Sequence, residues 1–297
     1  MFDTTPQIDC AGRLLLFDRA RVMGIVNVTP DSFSDGGAHD TLEAAVAHGL
    51  ALAAQGADLL DVGGESTRPG AHDVPLEEEL RRVVPVVARL ARETALPISV
   101  DTSKPEVMRA AVEAGAGMVN DVQALRADGA LDAAAALGVP VVLMHMQGTP
   151  RAMQDAPAYD DVVGEVHRFL AERIFAAEMA GIERKRIVVD PGFGFGKTRE
   201  HNLALLAQLR RFTELGVPVL AGLSRKRTIG ELTGRDTPHE RAHGSVAAAL
   251  IAAQRGAALL RVHDVAATVD ALKVLAAVDA VPLPRVDAKP AIRWPED

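Results

Sequence analysis

Eight short runs of β-branched and aliphatic residues recur along this chain, each followed by a polar or glycine-rich stretch and then by a helical pattern. The runs fall at 23–26, 59–62, 98–100, 118–119, 139–144, 187–189, 217–220 and 259–262. Helical periodicity covers 42–55, 76–93, 105–114, 131–137, 159–180, 202–215, 238–255 and 265–278. A strand and a helix repeated eight times, with no second composition regime, predict a single α/β domain: one (β/α)8 TIM barrel. The length of 297 residues allows one such barrel. Aromatic residues are only 3% of the chain, so the core must be built from Val, Leu, Ile and Ala, as a parallel sheet under Ala-rich helices is.

Residues 1–20 precede the first strand and are expected to cap the barrel floor. The barrel itself is expected over 21–280. The last stretch, 281–297, holds four prolines and no periodicity and reads as a tail, with Trp294 as a docking point. Helix starts carry their own signals. Ser103-Lys104-Pro105 puts a short polar residue ahead of a proline suited to a first helical turn, and Thr237-Pro238-His239-Glu240 reads as a capping box. Pro85 removes one backbone hydrogen bond from the second helix and is expected to kink it.

Cys10 is the lone cysteine, which excludes internal disulfides and multi-cysteine metal sites and fits a reducing, cytoplasmic setting. The first residues show no basic region followed by an apolar run, and no window of 18 uninterrupted apolar residues occurs, so neither secretion nor membrane insertion is expected. A formal net charge of -8 gives no global field for nucleic acid or an anionic membrane. An anionic ligand therefore needs local cations.

Barrels place their chemistry at the C-terminal ends of the strands. Those ends deliver Asn27, Asp61, Asp101, Asn120 with Asp121, His145, Asp190, Ser224 with Lys226, and Arg261 with His263. Any one aspartate there could simply cap the next helix. Together with Arg68, they make a mouth able to grip a polar heterocycle on one side and an anion on the other.

Two short motifs point elsewhere and are set aside. His239-Glu240-Arg241-Ala242-His243 matches the HExxH zinc signature, but the capping box explains it better and no third histidine follows within 244–251. The run 192–198 resembles a phosphate loop, yet Pro191 stands where that pattern requires glycine, and the spacing also fails the dinucleotide fingerprint.

The longer motifs agree with one another. They are Gly24-Ile25-Val26-Asn27-Val28-Thr29-Pro30-Asp31-Ser32-Phe33-Ser34-Asp35-Gly36-Gly37, Asp61-Val62-Gly63-Gly64-Glu65-Ser66-Thr67-Arg68-Pro69-Gly70, Ser99-Val100-Asp101-Thr102-Ser103, Asn120-Asp121 and Leu143-Met144-His145-Met146-Gln147-Gly148. Then follow Asp190-Pro191-Gly192-Phe193-Gly194-Phe195-Gly196-Lys197, Ser224-Arg225-Lys226 and Arg261-Val262-His263-Asp264. In these motifs and their order the chain resembles the dihydropteroate synthases over about residues 21–278, with no departure at a motif position.

The resemblance implies condensation of (7,8-dihydropterin-6-yl)methyl diphosphate with 4-aminobenzoate, through a pterin cation left when diphosphate departs. It implies Asp190, Asp101 and Asn120 on the heterocycle, Lys226 on its oxygen and ring nitrogen, and Met144 and Phe195 beside it. For Phe195, plain loop packing is an equal reading. Arg261, His263 and Asn27 are implied at the diphosphate, Asn27 as ligand to Mg²⁺. Thr67, Arg68, Pro69 and Ser224 are implied at 4-aminobenzoate, and the loops 28–39 and 63–74 as covers over the mouth. Asp101, Lys226 and Arg261 are the residues expected to carry catalysis. The partners implied are the two small-molecule substrates and a second copy of the chain in a homodimer. Two other readings stay open: a pterin-binding module of a methyl-transfer system, and a Schiff-base lyase using Lys226 activated by Arg225 and Arg227.

Overall fold

A computed structural model describes residues 6–28, 38–66, 73–148, 153 and 157–282, with the side chains of 38–40 excepted. Its centre is one parallel sheet of β3 (Arg21–Asn27), β4 (Leu59–Gly63), β5 (Ile98–Asp101), β6 (Met118–Asp121), β7 (Val141–Met144), β8 (Ile187–Asp190), β9 (Leu220–Ala221) and β10 (Leu259–Val262). The order around the sheet is β8-β7-β6-β5-β4-β3-β10-β9. A parallel bridge from Val189 to Val219, just ahead of β9, brings the two ends together. All eight strands expected from the sequence are present, and the sheet is the expected (β/α)8 barrel.

The outer layer comprises α1 (Ala38–Ala54), α2 (Leu76–Glu93), α3 (Pro105–Glu113), α4 (Ala130–Leu137), α5 (Val162–Met179), α6 (Arg199–Ala207), α7 (Arg210–Thr213), α8 (Arg227–Thr233), α9 (Ala242–Gln254) and α10 (Val265–Asp279). Aliphatic residues on the outward faces of the strands, among them Val22, Leu60, Val62, Val100 and Val119, form one continuous core with these helices. α2 runs through Pro85 as a single helix. The expected helix over 202–215 divides into α6 and α7, and α8 has no counterpart in the periodicity.

Inside the barrel, the strand period of two stacks residues in layers. Met23, Leu59, Met118, Val142, Val188, Leu220 and Leu259 form an apolar lower layer. Below them lies a hairpin of β1 (Gln7–Cys10) and β2 (Arg13–Leu16), antiparallel in register Gln7 to Leu16. Ile8, Cys10 and Leu15 join the apolar layer, so the hairpin closes the N-terminal end. Arg13 anchors it by donating to Leu96 O at 2.5 Å and Ala91 O at 2.7 Å, beyond and within the last turn of α2. Ala91 O is one of the carbonyls a helix end leaves without an internal partner. Gly117 is required here, because a Cβ at that position would lie 2.5 Å from Cys10 O. Among the described residues, no helix is long and apolar enough to cross a membrane.

Candidate active site

Two residues further along the strands the interior turns polar. The step from Leu59 to Asp61, Met118 to Asn120 and Leu259 to Arg261 keeps each side chain on the inner face, now at the upper rim. Asp61 is fully buried and receives Arg261 Nε at 2.6 Å and Asn120 Nδ2 at 3.1 Å. The other arm of the guanidinium, Nη2, reaches Asp101 Oδ2 at 2.7 Å. Residues from four strands are thus tied to one cation. Burial works against the Arg261 charge, but Asp61 and Asp101 together hold its pKa above the ordinary guanidinium value. Burial pushes Asp101 up to about 7, with Arg261 pulling the other way and the carboxylates of Asp61, Asp121 and Glu79 adding to the rise.

Asp190 ends β8 and Lys226 follows β9. Burial raises the carboxyl of Asp190, against the opposing pull of Lys226 and a hydrogen bond of 2.7 Å from Gly192 N. Burial lowers the Lys226 ammonium to about 8, with Asp190 resisting and Arg261 reinforcing the drop. Its nearby cation is therefore Arg261. The expected activators are engaged elsewhere: Arg225 is paired with Asp264, and exposed Arg227 with Glu231. Lys226 Nζ donates to Phe193 O and lies 4.4 Å from the centroid of the Phe195 ring. Phe195 packs in the loop and also presents its π face to this cation. A Cβ built on Gly222 would sit 3.9 Å from Asp190 Oδ2, 4.0 Å from Lys226 Nζ and 3.8 Å from Arg261 Cβ. With no side chain of its own, this glycine leaves room beside the carboxylate of Asp190, the ammonium of Lys226 and the Cβ of Arg261.

Beside that space, Ser224 Oγ and His263 Nδ1 are 3.0 Å apart, and His263 N donates to Ser224 Oγ at 3.1 Å. Arg225, between Ser224 and Lys226, has φ 57, a left-handed conformation rarely taken by a residue with a side chain. Three contacts hold it: Arg225 N donates to Ser245 Oγ, its guanidinium pairs bidentately with Asp264, and Arg241 Nη1 donates to Arg225 O. The turn separates Ser224, bonded to His263, from Lys226, bonded to Phe193 O, while Asp264 ties it to the loop carrying His263.

Asn27 ends β3 and stands in register with Gly63. Met144 ends β7 in a small buried cluster with Val122, Met146, Met153 and Phe195. Thr67, Arg68 and Pro69 lie outside the described residues, as do 29–37 of the first expected cover and 67–72 of the second. The sequence reading left Asp61 out of the ligand-contacting set, yet it organises the rim. Its place in the inward register of β4 was the available signal. Also missed was Glu79, fully buried on α2, which accepts from Thr102 Oγ1 at 2.6 Å and from Lys104 Nζ at 2.5 Å.

The zinc-like motif has a different part. Pro238–Arg241 is a 3₁₀ turn and α9 begins only at Ala242, so His239 and His243 do not share a regular helix face. The expected capping box is absent: Pro238 starts the turn, but the Thr237 side chain makes no cap hydrogen bond. Arg241 organises the segment instead, donating to Arg235 O, Asp236 O and Arg225 O. The earlier helix start differs too. Lys104 is the N-cap of α3 and makes no side-chain cap bond, because Ser103 turns to Asp121. His239→Ala with His243→Ala is expected to leave both condensation rate and thermal stability near those of the unmodified protein. Stoichiometric zinc lost together with activity, measured by elemental analysis and assay, would overturn this.

The model of the pterin binding enzymes matches residues 23–263 of the chain. Dihydropteroate synthase of Escherichia coli (strain K12) is 53% identical over 266 residues, covering 90% of this chain and 94% of that protein. The chain is 74% identical to Xanthomonas albilineans dihydropteroate synthase solved with 4-aminobenzoic acid, with a TM-score of 0.90 and coverage of 94% and 100%. A complex of the same enzyme with 7,8-dihydropteroate gives 71% identity, a TM-score of 0.86 and coverage of 93% and 100%.

Proposed function

The chain belongs to the dihydropteroate synthases, and from that premise we propose how its own residues perform the condensation. It is a transferase that joins (7,8-dihydropterin-6-yl)methyl diphosphate to 4-aminobenzoate, giving 7,8-dihydropteroate and diphosphate. Asp190, Lys226 and Arg261, gathered around the room left by Gly222, are the observation that carries the assignment of roles.

Asp190 and Asp101 take the guanidine-like donor edge of the reduced pterin. Asn120 gives one N–H to Asp61, which fixes the amide and leaves its carbonyl oxygen to accept from the ring and its second N–H to donate. Lys226 donates to the ring oxygen and a ring nitrogen, with Phe195 beneath its charge. Met144 supplies part of the apolar wall. At the other side of the space, Arg261 and His263 face the diphosphate, and Ser224 borders the 4-aminobenzoate. The C–O bond breaks first, and diphosphate leaves with the electron pair. The pterin methylene cation is then attacked by the arylamine nitrogen, which loses a proton. Arg261 is already fixed by two carboxylates and needs no reorientation as charge builds on the leaving group.

Asn27 offers one neutral oxygen at the rim, and among the described residues no cluster of three His, Cys, Asp or Glu side chains could hold a metal by itself. That donor set suits Mg²⁺ carried on the diphosphate and keeping most of its waters, not a resident ion. Bound so, the ion would neutralise part of the diphosphate charge. A homodimer is supported by the exposed apolar side chains Val274, Val278 and Val281 on and just beyond α10, which analytical ultracentrifugation can test. The cytoplasm is the proposed location, supported by the unpaired Cys10.

The reading of the site is tested by diphosphate release that requires both substrates and Mg²⁺, combined with Asp190→Asn. The carboxamide presents an NH₂ to one of two ring donors and strands it at about 1 to 3 kcal/mol, so pterin affinity is expected to fall at least about tenfold. Unchanged affinity by calorimetry in a folded Asp190→Asn protein would remove Asp190 from the pocket.

A further inference from the structure

The reaction as derived makes no use of the most deeply enclosed cation among these loops. Lys197 follows the glycine-rich run after β8 and is only 3% exposed. Among the described residues, no carboxylate lies within ion-pair distance of it. Its Nζ donates instead to Gly192 O at 2.9 Å, Phe195 O at 2.9 Å and, more weakly, His145 O at 3.4 Å, and lies 2.9 Å from His145 Nδ1. Burial pushes the Lys197 ammonium well below the ordinary lysine range, with Asp190 resisting and Lys226 adding to the drop, and the donor at the His145 Nδ1 contact follows the imidazole tautomer. Burial, and after it the Lys197 charge, push His145 down to about 2, so the imidazole is neutral.

The acceptors of Lys197 lie in the same backbone that holds Lys226. Between Gly192 O and Phe195 O lies Phe193 O, the acceptor for Lys226 Nζ, and Phe195 itself supplies the ring under that charge. Gly194, also within this turn, leaves no slack: a Cβ there would be 3.1 Å from Lys226 Cδ. At the start of the turn, a Cβ on Gly192 would fall 1.8 Å from His145 O, so the turn is pressed against the end of β7. A chain of short contacts therefore runs from Lys197 through the 192–195 backbone to the ammonium of Lys226.

We infer that Lys197 is a positioning residue: by gathering the carbonyls of Gly192 and Phe195 around one ammonium, it fixes the turn that aims Lys226 at the pterin. The reaction consumes no proton or charge from Lys197. The inference rests on the proposed contact between Lys226 and the pterin, and its test must separate the two.

Lys197→Met keeps the length and removes the donors. It is expected to raise KM for the pterin diphosphate about tenfold, the worth of one hydrogen bond, while KM for 4-aminobenzoate stays within about twofold. Acetylation of Lys226 by a small amine-reactive reagent, followed by mass spectrometry without any substrate, is expected to run severalfold faster once the turn loosens. Lys197→Gln, which restores two donors, is expected to recover part of both effects. Should Lys197→Met not fold, Lys197→Gln and Gly194→Ala decide, the second straining the turn itself at φ 80 and pressing on Lys226 while the Lys197 side chain is kept, and predicted to raise pterin KM selectively. Equal rises in both KM values, or an unchanged Lys226 labelling rate, would reduce Lys197 to a general stabiliser and overturn the inference. Lys226→Met is the control. If it leaves pterin KM unchanged, the pterin contact of Lys226 is wrong, whereas a large rise there with none in the Lys197 and Gly194 variants sinks only the positioning role.

Discussion

Arg261→Ala is expected to lower kcat by on the order of 10² to 10³ at saturating substrates, the usual cost of removing one preorganised electrostatic contact. It is also expected to destabilise the fold by about 3 kcal/mol, because fully buried Asp61 then loses the cation that pairs with it. Arg261→Lys separates the two effects. A single ammonium cannot bridge Asp61 and Asp101 as the planar guanidinium does, so stability is recovered more than rate. A kcat near that of the unmodified enzyme in a folded Arg261→Ala protein would show that the charge is not aimed at the leaving group.

Gly222→Leu is the other large expected effect. Since a Cβ at this position meets only ordinary contacts of 3.8 to 4.0 Å, Gly222→Ala should fold and retain measurable turnover. The larger leucine carries its branched end into the space between Asp190 and Lys226. Displacing two pterin hydrogen bonds at about 1 to 3 kcal/mol each predicts a loss of pterin affinity of about 30-fold or more. Calorimetry with a pterin and thermal unfolding are the paired measurements. A leucine variant that binds pterin normally would mean that the pocket lies elsewhere in the rim.

The eight strands were readable because a sheet buried on both faces writes continuous aliphatic runs, and even two-residue β9 begins at Leu220, the last residue of the run expected at 217–220. The N-terminal hairpin was not recognised as one. Its turn has both central residues at positive φ, 53 for Ala11 and 84 for Gly12, the geometry that Asn-Gly or Asp-Gly normally announces. Ala-Gly carries a weaker signal, and the stabilising carboxylate comes from Asp9, which accepts from Gly12 N at 2.6 Å. α8 escaped notice because Arg227–Thr233 is seven residues long with two threonines and a glycine, poor helix formers. Within the site, motif residues placed the charges on the right strands. What the sequence could not supply was pairing: Arg261 meets Asp61 200 positions away, and the cage around Lys197 is mostly backbone carbonyl. Local patterns name neither kind of partner.

The hairpin under the barrel has a consequence for traffic. With Ile8, Cys10 and Leu15 packed into the lower apolar layer, the barrel is closed at its N-terminal end among the described residues, and traffic is left to the rim. The site proposed above predicts that the ligand seated deeper from the rim enters before its neighbour and leaves after it. A joined product, by contrast, departs as one body through the opening by which both halves arrived.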